Sequence, residues 1–119
     1  MELKEKAKVF EEEAFEAFSK ERYFLVLFFV EQSIQLYIKH ILLKKFGDYP
    51  KTHNLRVLFK ELNKVVNLQK FLEENEDIID LLVTSYIESR YTEVEFSKKS
   101  AEKALEFLKK FKEIIKDEL

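Results

Sequence analysis

Three groups of residues in this 119-residue chain carry side chains able to bind or steer a charged group. Gln32, Gln35 and Lys39 interrupt an otherwise apolar segment at positions i, i+3 and i+7, within an arc of about 60° on a helix, so one polar stripe runs down it. Such a stripe either faces water or lines a cleft or interface, where buried polar groups need partners. His53, in Thr52-His53-Asn54-Leu55, stands at or next to a helix N-terminus. There the helix dipole disfavours an imidazolium, and free backbone N–H groups can hold a phosphate or carboxylate. The plainer role for that histidine is to help cap its helix. Tyr86, Arg90 and Tyr91, in Tyr86-Ile87-Glu88-Ser89-Arg90-Tyr91, offer a planar guanidinium between phenol rings, suited to gripping phosphate while a ring stacks on a base. The same trio suits a structural ion pair of Arg90 with Glu93 or with an acid on a neighbouring helix. His40 has no such context and reads as a surface residue.

Other chemistries lack their parts. Without Cys there is no disulfide framework, thiolate metal site or cysteine nucleophile. There is no His-Glu-x-x-His, no Glu-x-x-His, and with one Gly no glycine-rich phosphate loop, so zinc hydrolase, carboxylate-bridged metal bundle and P-loop ATPase are excluded. No metal and no cofactor are expected.

The elements that must position these residues are helices. One Gly and one Pro in the whole chain leave little material for the turns a sheet needs, and 46% hydrophobic residues with 12 Phe can build a core. Leu3, Ala7, Phe10, Ala14, Ala17 and Phe18 give residues 2 to 20 helical periodicity, and Tyr23 to Phe46 is apolar nearly all round, a buried central helix that Gly47 stops. Asp48-Tyr49-Pro50 makes a turn, and Thr52 and Asn54 offer cap oxygens to a short third helix with Leu55, Leu58, Phe59 and Leu62. A fourth pattern covers about 69 to 90, with Glu73-Glu74-Asn75-Glu76-Asp77 either a solvated first turn or a break. Thr92 and Glu95 have capping-box spacing ahead of a last helix lined by Ala101, Ala104, Leu105, Leu108, Phe111, Ile114 and Ile115. The expected fold is all-α, one domain over residues 1–119: an antiparallel up-and-down bundle of four main helices and one additional short helix.

The net charge of −2 is unevenly spread, at +5 over residues 39–60 and −6 over 61–95. The basic stretch either attracts an anion or acidic partner, or is solvated helix surface. No basic-then-apolar leader is evident, and the longest unbroken apolar run, Tyr23 to Val30, is eight residues, well short of the roughly 20 of a spanning helix. A soluble, cytoplasmic protein is expected, with no membrane contact.

Taken together, Gln32-x-x-Gln35-x-x-x-Lys39, Tyr49-Pro50-Lys51-Thr52-His53-Asn54-Leu55 and Tyr86-Ile87-Glu88-Ser89-Arg90-Tyr91 resemble the HEPN domain family, the higher eukaryotes and prokaryotes nucleotide-binding domain. Gln35 departs from it, since members often carry Glu there. The resemblance implies a bundle of four main helices, commonly a homodimer, often encoded beside a minimal nucleotidyltransferase as its substrate-binding unit or as half of a toxin–antitoxin pair. Many members are metal-independent ribonucleases with an Arg followed after four to six residues by a His. Here those positions after Arg90 hold Glu95, Phe96 and Ser97, so the motif is incomplete.

Cleavage through a 2′-hydroxyl needs groups that move protons near neutral pH, the natural task of His. The first reading is therefore a non-catalytic module in which Lys39, His53, Tyr86, Arg90 and Tyr91 hold a nucleotide or RNA phosphate. The rivals are a divergent ribonuclease toxin using Arg90 with Glu95, and a structural bundle whose stripe of Gln32 and Gln35 serves only dimer contacts.

Overall fold

Among the described residues, helices follow one another as α1 (Leu3–Ser19), α2 (Tyr23–Phe46), α3 (Leu55–Leu62), α4 (Gln69–Glu74), α5 (Glu76–Tyr91) and α6 (Lys98–Ile115), with a closing 3₁₀ turn at Lys116–Glu118. The computed structural model describes residues 2–91 and 95–119, and the side chains of all of these except 87–91. Among the described residues there is no strand.

Local chemistry sets the helix ends. α1 finishes in paired bonds from Arg22 N–H to the Ala17 carbonyl at 2.9 Å and from Glu21 N–H to that of Phe18 at 3.0 Å. This places Glu21 at φ 58°, a left-handed position that glycine usually fills. α2 stops at Gly47, whose φ is 79° and whose N–H bonds the Leu43 carbonyl at 2.8 Å. Asn54 caps α3 by accepting from the N–H groups of Arg56 and Val57 at 3.0 and 3.3 Å.

α2 is the axis on which α1, α3, α5 and α6 pack. α1 runs antiparallel to it, with Phe18 against Tyr23 and Phe10 against Phe29. The small buried residues Ala7, Ala14 and Ala17 let the two backbones approach, and the Ser33 hydroxyl donates to the Ala7 carbonyl at 2.8 Å. Glu11 joins three helices by accepting from the Tyr37 hydroxyl and the Lys112 ammonium, each at 2.8 Å. Burial, then the Glu11 carboxylate, push the Tyr37 phenol well above its usual range. On the opposite flank Phe59 packs edge-on against Phe107 and Phe111, while Phe71 stacks on Phe107 with centroids 5.0 Å apart.

Four expectations need correction. Among the described residues there are six helices, not five, because the fourth pattern divides at Asn75. That residue takes φ −125°, bonds the Phe71 carbonyl through its own amide at 2.7 Å, and offers its carbonyl to Ile79 N–H at 3.1 Å, so it closes α4 and opens α5. α6 begins five residues later than a cap at Thr92 would place it: Ser97 is the cap and accepts from Ser100 N–H at 3.1 Å, and Thr92 lies outside the described residues. α2 is long and apolar enough, by length and composition, to cross a membrane, which counting unbroken apolar residues failed to register. With 67% of its most apolar window buried within the bundle, packing against four helices accounts for that apolarity. His40 is half-buried rather than on the surface, and its Nε2 is buried without a hydrogen-bond partner among the described residues.

Candidate functional site

The buried polar line of α2 is Glu31, Gln35 and Lys39, at i, i+4 and i+8, only 1%, 2% and 8% exposed. An uncompensated carboxylate in such a place is costly, and the neighbouring amides compensate it. Gln35 Nε2 donates to both Glu31 oxygens at 2.9 and 2.7 Å, and Gln32 Nε2 donates to Oε1 at 2.9 Å. The same Gln35 nitrogen lies 3.0 Å from the His53 carbonyl oxygen, which pins the loop after α2 across the stripe.

That loop, residues 48–54, is shaped by its own side chains. Asp48 Oδ1 accepts from Tyr49 N–H at 2.8 Å and from the Lys51 ammonium at 3.1 Å, which together hold its carboxyl below the usual range. Thr52 Oγ1 accepts from Asn54 N–H at 3.0 Å. Two ammonium groups therefore converge on the Tyr49 ring, Lys51 at 3.7 Å and Lys39 at 5.7 Å from its centroid. Lys39 forms no ion pair among the described residues. Burial, followed by Lys51, pulls its pKa down, and only the Glu31 charge opposes this.

The His53 ring stacks on Tyr86 with centroids 5.8 Å apart and planes 23° from parallel. The two rings border a cavity of about 240 Å³, whose other walls are Glu31, Asn54, Leu55 and Val83. The site thus joins a cationic end at Lys39, Lys51 and Tyr49 to an aromatic end holding a buried carboxylate. Among the described residues no three His, Cys, Asp or Glu side chains group as metal ligands do.

Comparison with protein families matches residues 1–118 to the HEPN domain. The chain belongs to the HEPN domain family. Comparison with curated proteins and with solved structures gives no significant match.

Several expected site residues of this HEPN domain do meet. Gln35, Lys39, His53 and Tyr86 share the stripe, the loop and the cavity, while Gln32 sits half-buried beside them as a donor to Glu31. His53 does not cap α3, a task that falls to Asn54; its carbonyl and ring are both engaged elsewhere. Arg90 and Tyr91 lie outside the described side chains. Glu95 is exposed and lines a separate hollow with Arg22 and Phe24.

The residue that sequence reasoning passed over is Glu31. The signal was present, since it is the only acid in the 24 residues of α2 and shares the four-residue spacing of Gln35 and Lys39. It provides, one turn earlier, the carboxylate that Gln35 lacks. Tyr49 and Lys51 were quoted in the loop motif without a role.

Proposed function

We propose that this HEPN domain is a nucleotide- or RNA-phosphate-binding module that works with a minimal nucleotidyltransferase, as its substrate-binding unit or as half of a toxin–antitoxin pair, and is not itself the catalyst. Lys39 carries the reading. An ammonium that is 8% exposed, without an ion pair among the described residues and sharing the Tyr49 ring with a second ammonium, has the Glu31 charge alone to offset its burial among the described residues. A phosphate seated between Lys39 and Lys51 adds countercharge to both, and the His53–Tyr86 wall offers a base a surface to stack on. Glu31, facing the cavity, accepts from an amino or hydroxyl group of the ligand.

The non-catalytic part of the reading rests on the missing His after Arg90 and on the place of Glu95, which is exposed and lines a hollow that shares no residue with the His53–Tyr86 cavity. A cytoplasmic homodimer of prokaryotic origin belongs to the same reading.

Amide NMR titration with ATP, and then with a short RNA, tests it. Shifts are expected around Lys39, Tyr49, His53 and Tyr86, and Lys39→Ala should weaken binding about tenfold or more, the worth of one charge-assisted contact. Absence of shifts with both ligands overturns the binding reading in favour of an interaction bundle. RNA cleavage by the purified protein that Arg90→Ala abolishes overturns the non-catalytic part.

A further inference from the structure

A second concavity lies between α3, α4 and α5, a groove of about 420 Å³ that shares no lining residue with the loop-and-stripe cavity. Its floor is apolar, formed by Phe59, Leu72 and Ile79, and its rim carries the exposed carboxylates of Glu73, Glu76 and Asp80. The groove already receives one cation of the chain itself, because Arg56 of α3 reaches across to pair with Asp80 of α5. Glu73 is oriented by Gln69, whose Nε2 donates to it at 2.7 Å, and Glu76 makes no ion pair among the described residues. The surrounding segment, residues 61–95, carries a net charge of −6, so the field above the rim draws in cations.

We propose that this groove docks a basic, partly apolar segment of a protein partner, with an aliphatic side chain on the floor and Lys or Arg heads on Glu73 and Glu76. Those two residue types fit because their methylene stems lie along apolar surface while their charged heads reach a carboxylate rim, as Arg56 does from within. The volume falls in the range of roughly 300 to 1,000 Å³ typical of binding clefts. Nucleic acid is repelled by the same rim. A second copy of the chain would have to present a different patch, its own basic stretch 39–60, and the test separates that occupant from a partner protein.

The test is fluorescence anisotropy of the full chain with a short labelled peptide of alternating Leu and Arg, and with an alternating Leu and Glu peptide as control. The basic peptide binds, weakens with salt, and loses about tenfold or more in affinity with Glu73→Lys/Glu76→Lys, while Lys39→Ala leaves its affinity unchanged. Both positions are exposed, and circular dichroism of the double variant verifies that it is folded. No binding, equal binding of the two peptides, or indifference to the charge reversal overturns the proposal. So does sedimentation equilibrium showing self-association of the unaltered chain that the double variant abolishes, which would make the groove a contact between copies.

Discussion

Gln35 spends one amide on two buried acceptors, the Glu31 carboxylate and the His53 carbonyl. Gln35→Leu keeps most of the volume and removes the donor, taking one hydrogen bond from the His53 carbonyl and the Gln35 bonds from Glu31 in a site that is 2% exposed. A loss of about 1–3 kcal/mol is expected from urea denaturation, with Glu31 bearing most of it because it is the charged group. A variant within experimental error of the unaltered protein would show that water reaches and satisfies these atoms. The types Gln, Lys and His at this site were legible in the sequence, because polar residues stand out in so apolar a helix. Their phase was not. Gln32, Gln35 and Lys39 form a narrower arc than Glu31, Gln35 and Lys39, yet the neighbours that bury α2 selected the second set, and the His53 carbonyl that Gln35 meets comes from 18 residues away.

At the scale of the element, what depends on a few adjacent residues was readable and what depends on a single dihedral was not. The span of α2, its stop at Gly47 and the cap at Asn54 follow from short-range rules and agree with the structure. Asn75 could equally be solvated helix or a break until its backbone and amide are seen, and Glu21 occupies a left-handed position with no glycine to announce it. The eight-residue α3 relies heavily on its cap, as so short a helix recovers little from propagation. Asn54→Ala should cost about 1 kcal/mol in thermal or urea denaturation, and Asn54→Ser should recover most of it. Because α3 carries both the wall residue Leu55 and the groove residue Phe59, amide shifts from the alanine variant are expected at both concavities.

For the whole molecule, acid tolerance turns on His40. Its imidazole is half-buried, and burial first, then Lys4 of α1 and Lys44 of α2, lower its pKa against the weaker opposite pull of Glu2. The folded state therefore disfavours the imidazolium that the unfolded chain accepts freely. Stability is complete above the ordinary histidine pKa of 6.5, declines as pH falls through it, and levels off below the lower folded value. Denaturation midpoints at pH 7.5 and 5.5 should differ more for the unaltered protein than for His40→Leu; equal differences would remove His40 as the cause. The all-helical class was legible at this scale from Gly, Pro and apolar period alone. The contacts that join distant parts were not, such as Glu11 with Lys112 across 101 positions, since no local pattern encodes them.

The order of synthesis adds a further consequence for α2. This helix is complete once Phe46 has been joined, but α6, which covers part of its apolar surface, ends at Ile115. At translation rates of about 5–20 residues per second the gap lasts roughly 3 to 14 s. During that time the nascent chain displays a helix with the length and hydropathy of a membrane segment, shielded chiefly by α1, which leaves the ribosome first. The α1–α2 hairpin, with its alanine face and its Ser33–Ala7 bond, thereby covers part of that apolar surface before α6 exists.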